Sequence, residues 1–81
     1  MTIKRVEFVN GRADVYDAWD RKVRSIACNE LVGYGRKGIV VKKASFYDAI
    51  DVSTMRYQRM VGFEFEKKKW DLHDDYLQIL C

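Results

Sequence analysis

Gly33-Tyr34-Gly35-Arg36-Lys37-Gly38 spells GxGxxG. In dinucleotide-binding folds such glycines follow a strand and open a helix, so that the first N–H groups of the helix face a pyrophosphate. The flanking patterns here run the other way, with a helical spacing before the glycines and a strand spacing after them. The expectation is therefore a helix stop and turn carrying a basic loop, Arg36-Lys37, and no nucleotide cofactor. His73-Asp74-Asp75 places the single imidazole beside two carboxylates. No second ligand group stands at helical spacing from it, so a polar turn before a last strand is expected and no metal. Glu66-Lys67-Lys68 contains the E-x-K half of a nuclease-type motif. Metal-dependent cleavage would also need Asp48 or Asp51 held next to Glu66. Ser25, Ser45 and Ser53 lie in no nucleophile elbow. Taken together, these residues give no sufficient catalytic set, and the chain reads as a non-enzyme.

The cations say more. Residues 1–43 carry a formal charge of +5 and residues 44–81 one of −2, giving +3 for the chain. Arg21, Lys22, Arg24, Arg36, Lys37, Lys42 and Lys43 fall off every apolar stripe and are expected in solvent. If they converge, they form a phosphate-sized patch with Tyr34 as a stacking surface, and Tyr57 and Trp70 are further aromatics within the same reading. No helix-turn-helix or basic-zipper pattern is present for reading a DNA groove, so RNA or a ribonucleoprotein is the expected nucleic-acid partner. The acidic stretch Asp71–Asp75, with Glu64 and Glu66, suggests a second patch of opposite sign. A charge-split chain of this size can self-associate, so a homodimer is an open expectation.

These side chains must be positioned by few elements, because 81 residues allow one domain, expected over residues 1–81. Residues 2–9 alternate as a strand, and Asn10-Gly11 is a strong type I′ turn signal because both positions require positive φ. A short strand over 12–16 would return, setting Val6 against Val15, Phe8 against Ala13 and, less favourably, Glu7 against Asp14. Trp19, Val23, Ile26, Ala27 and Leu31 recur at helical spacing, with Asp17 or Asp14 as cap and Gly33 or Gly35 as stop. That stripe predicts the main helix, 18–32, with Trp19 in the core. Ile39-Val40-Val41 predicts a buried strand. Val61, Phe63 and Phe65 alternate with Gly62, Glu64 and Glu66 as a half-buried strand, and Tyr76–Leu80 predicts a last one. Residues 45–60 fit either a short helix opened at Ser45 or a strand through Met55, Tyr57 and Arg59. The predicted architecture is α+β: one main amphipathic helix packed on a mostly antiparallel sheet of four or five strands.

Composition sets the remaining bounds. Hydrophobic residues are 48% and charged residues 33%, a globular rather than a disordered balance. No apolar run is long enough for a membrane span, and the first residues lack a signal-peptide pattern. Cys28 and Cys81 show no metal or CxxC spacing and read as free thiols in a reducing, cytoplasmic setting. Two functions follow as expectations. The first is a small non-catalytic RNA-binding accessory or inhibitor protein acting through the basic residues named above. The alternative is a protein-binding inhibitor or adaptor with no nucleic-acid contact, in the style of the small accessory proteins by which bacterial viruses block host enzymes.

Overall fold

The computed structural model describes residues 2–81. Strand β1 (Ile3–Val9) turns at Asn10-Gly11 into β2 (Arg12–Asp17). Both turn residues have positive φ, 53° and 73°, as the sequence signal requires. The register is the expected one, with Val6 opposite Val15, Glu7 opposite Asp14 and Phe8 opposite Ala13. Ala13 and Val15 are buried, while Phe8 stands at the open end of the ribbon. Strand β3 (Lys22–Ala27) pairs with β2 and completes a three-stranded sheet.

The chain then builds a second sheet from β4 (Glu30–Tyr34), β5 (Gly38–Lys43), β6 (Phe46–Asp51) and β7 (Tyr57–Val61). Helix α1 (Gly62–Tyr76) follows, and β8 (Ile79–Leu80) closes the chain. The five-stranded order is β7-β6-β5-β4-β8, antiparallel throughout. The fold is α+β, with a single helix packed against antiparallel sheet.

Three layers result, and β5 is the middle of all of them. Ile39 and Val41 face the three-stranded sheet, in one core with Ile3, Ala13, Val15, Ile26 and Ile50. Val40, on the opposite face, joins Ala49, Met60, Phe65, Leu72 and Leu77 beneath the helix. A strand covered on both sides needs a continuous apolar run rather than alternation, which Ile39-Val40-Val41 supplies. Burying each such side chain stabilises the fold by about 1.5–3 kcal/mol.

The position of the helix differs from the sequence expectation. Residues 18–32 form no helix: they hold the β2–β3 turn, β3, a turn at Cys28-Asn29, and the start of β4. Asp20 has a φ of 63°, which breaks a helix at its first turn. Ile26 and Leu31 are buried as the stripe implied, but on two strands, and Trp19 is 76% exposed instead of lying in the core. The expected strand through Phe63 and Phe65 is instead the start of α1. Its glutamates and lysines are good helix formers, and Phe65 and Leu72, seven residues apart, form its buried stripe. The Glu64 carboxylate accepts the Val61 N–H at 3.4 Å, covering one open donor of the first turn. Residues 45–60 resolve as β6 and β7, and the last strand is confined to Ile79–Leu80, with Tyr76 still in the helix. Among the described residues, no helix is long and apolar enough to cross a membrane.

Candidate functional site

The glycine motif lies in the β4–β5 hairpin, and its N–H groups are taken. Arg36 N–H donates to the Asp74 carbonyl (3.4 Å) and Lys37 N–H to the Asp75 carbonyl (2.9 Å), both at the C-terminal end of α1. A phosphate cradle needs such donors free. The glycines serve contact instead. A Cβ on Gly35 would lie 2.6 Å from the Asp75 backbone, and one on Gly38 would run into the Ile50 carbonyl. Side chains complete the clamp, with Arg36 on Asp75 at 3.2 Å and Lys37 at 3.9 Å.

The cations named from the sequence are dispersed. Arg21 pairs with Asp17 in the β2–β3 turn at 3.0 Å. Lys22 is exposed. Arg24 is a tie between layers, donating to the carbonyls of Val52 (2.9 Å) and Ser53 (3.4 Å). Arg36 and Lys37 lie in the turn just before β5, whereas Lys42 and Lys43 occupy the far end of that strand. Tyr34 is half-buried against the core between the sheets rather than open for stacking. The structure therefore brings the seven cations to no single face. Glu66 pairs with Lys69 at 3.1 Å on the outer side of the helix. Asp48 points to the opposite face of the sheet, so the two carboxylates that metal-dependent cleavage would need stay apart. Among the described residues, no group of three or more His, Cys, Asp or Glu side chains is placed to hold a metal ion.

A different constellation is assembled on β6 and β7. The three-stranded sheet covers the inner part of the larger one and leaves Phe46, Tyr57 and Val61 open, at 40%, 61% and 42% exposure. Cross-strand pairing sets Asp48 directly opposite Arg59 and Phe46 opposite Val61, all on that face. Asp48 is 1% exposed. Both its oxygens accept from Arg59, from Nε at 2.9 Å and from Nη2 at 3.0 Å. Lys43 Nζ adds a contact at 4.0 Å. The fork fixes the guanidinium against two aromatic rings, 5.3 Å from the Phe46 centroid and 5.5 Å from that of Tyr57. The hydrogen bonds that Arg59 donates to the Asp48 carboxylate push the Arg59 pKa up from its ordinary value. Sequence alternation through Tyr57 and Arg59 was a visible signal for a strand. Asp48 as anchor was not visible, because its partner is set by the register of two strands.

A second open surface runs along α1. A groove of about 510 Å³ lies between the helix and the β4–β8 edge, lined by Val32, Phe65, Trp70, Leu77, Leu80 and Cys81 among others. Trp70 is 86% exposed and Leu80 71%. Burial pushes the Cys81 thiol pKa up, away from a reactive thiolate. Compared with family models, with curated proteins and with solved structures, the chain matches none.

Proposed function

We propose that the protein is a non-catalytic protein-binding module, an inhibitor or adaptor, that docks its partner on the part of the β6–β7 face that the three-stranded sheet leaves open. The observation that carries this reading is Arg59 held between the exposed rings of Phe46 and Tyr57 by the buried carboxylate of Asp48. Tyrosine and arginine dominate protein–protein hot spots, and a guanidinium already fixed by a fork has less freedom to lose on binding. RNA contact has less to draw on, because the cations named from the sequence are dispersed and Tyr34 is half-buried against the core. A cytoplasmic setting goes with the reading, since Cys28 and Cys81 are free thiols.

The test is capture from lysate with the wild-type protein, Tyr57→Ala and Trp70→Ala, each with and without ribonuclease. The expected result is a specific partner that survives ribonuclease, is lost with Tyr57→Ala and is kept with Trp70→Ala. Loss of all capture on ribonuclease treatment would return the reading to RNA. Loss with Trp70→Ala and not Tyr57→Ala would move the docking site to the α1 groove.

A further inference from the structure

Each sheet has two edges, and three of the four are blunted. On β1 the register slips between Ile3 and Arg5, leaving Lys4 as an extra residue. On β3 the register slips at Val23, between the partners of Val15 and Tyr16. The β8 edge is two residues long and covers a β4 that is itself interrupted at Val32. Bulges and truncation are the usual devices that stop an edge from pairing further. The fourth edge, β7, has none of them. Its pairing with β6 runs without a slip from Tyr57 to Val61, and the chain contains no proline.

The direction of its free groups follows from the ladder. Asp51 N–H donates to the Arg56 carbonyl at 2.8 Å, in phase with the β6–β7 register. In an antiparallel pair the bonded positions alternate, so Gln58 and Met60 turn their backbone groups toward β6. Tyr57 and Arg59 turn theirs outward. Those four groups take no partner among the described residues, whereas the outward N–H of Val61 is taken by Glu64. The open row lies alongside the side chains of Tyr57, Arg59 and Val61, so backbone and side-chain contacts are offered together.

Charge selects the occupant. Within Tyr57–Val61 the only charged residue is Arg59; Arg56 precedes the strand, Lys43 shares the buried Asp48 with Arg59, and the Glu64 carboxylate stands at the far end of the row, on the Val61 N–H. A second copy would lay this cationic strand against itself, and like charges facing across strands are destabilising. We propose that β7 accepts an extended acidic segment of a partner protein as an added strand. An acidic side chain of that segment lies opposite Arg59, and aliphatic side chains two residues to either side meet Tyr57 and Val61. This inference rests on the docking reading above and names the partner's chemistry.

The experiment titrates fluorescent peptides built on Val-Thr-Glu-Thr-Val onto the full chain. One version has the central Glu replaced by Lys. Two further versions carry N-methyl groups on one or the other alternate set of backbone nitrogens. An oligouridine of similar length serves as the nucleic-acid probe. The parent peptide is expected to bind. Methylation of the set facing β7 should weaken it about tenfold, the effect of losing one or two hydrogen bonds, while methylation of the other set is tolerated. The Glu→Lys peptide should also lose about tenfold, and the parent should lose affinity for Tyr57→Ala. Equal tolerance of both methylation patterns would overturn strand addition, as would failure of every peptide to bind. If a ribonuclease-resistant, Tyr57-dependent partner is nevertheless captured from lysate, docking stands and strand addition alone falls. Oligouridine that binds more tightly than the parent peptide and displaces it overturns both.

Discussion

Two places in the molecule set a buried aspartate, an arginine and an aromatic ring together for different ends. In the β2–β3 turn, Asp17 is buried at 4% exposure and Arg21 stacks on Trp19 at 5.3 Å. On β6 and β7, Asp48 is buried at 1% and Arg59 stacks on Phe46 at 5.3 Å. Asp17 accepts from the backbone N–H groups of Trp19 (2.9 Å) and Arg21 (3.0 Å) as well as from the Arg21 side chain. Its carboxylate closes a turn, and its pKa is lowered, first by the Arg21 backbone bond. Asp48 takes no backbone donor. Both its oxygens go to one side chain on a neighbouring strand. A buried carboxylate that serves a turn is explained by folding alone. One that serves to hold an exposed arginine between two exposed rings has a consequence at the surface.

The sharpest way to break this comparison is to remove each arginine. Arg59→Ala leaves Asp48 buried with Lys43 as its remaining cation, and should lower the urea midpoint clearly. Arg21→Ala leaves Asp17 its two backbone donors and should cost about 1 kcal/mol or less. Equal losses would erase the distinction. A double variant, Asp48→Leu with Arg59→Met, sharpens it further. Replacing an ion pair that has a buried member by apolar groups is often neutral or stabilising, so the fold should be kept while partner binding is lost.

Asp17→Ala removes the acceptor that organises the turn and should lower the urea midpoint. The same site gives a pH dependence. Its folded pKa lies below the unfolded value of about 3.9, so its contribution is present above that pH and is lost as pH falls through the folded value. Trp19 fluorescence should therefore report loosening of this turn in acid. A turn that stays closed in fully protonated protein would show that the carboxylate is dispensable. The smallest expected effects are those of Trp19→Ala and Tyr57→Ala, each within about 0.5 kcal/mol because both rings are exposed. Their separation is in binding, which Tyr57→Ala should abolish and Trp19→Ala should leave intact.

Some of this was decided by the sequence alone. Asn10-Gly11 admits positive φ at both turn positions, so the first hairpin and its register follow from two residues and the alternation around them. The unbroken run Ile39-Val40-Val41 required a strand covered on both faces. The class, one helix on antiparallel sheet, was equally legible, as was the solvent exposure of Arg21, Lys22, Arg36 and Lys37.

What tertiary structure decided is which of two periods each ambiguous segment obeys. Val23, Ile26 and Leu31 satisfy a helical stripe, and Phe63 and Phe65 continue the strand alternation of Val61, yet the chain makes strands of the first and a helix of the second. A stripe is stable only against a facing layer. Residues 22–34 find theirs as β3 paired on β2 and β4 paired on β5, whose inward side chains meet in one core. Residues 62–76 find theirs by lying across the far side of β5, where Val40 and Met60 await Phe65 and Leu72. The same holds for Asp48 and Arg59. Eleven positions apart in the chain, they become a pair because two strands meet in one register, and no local pattern of residues carries that information.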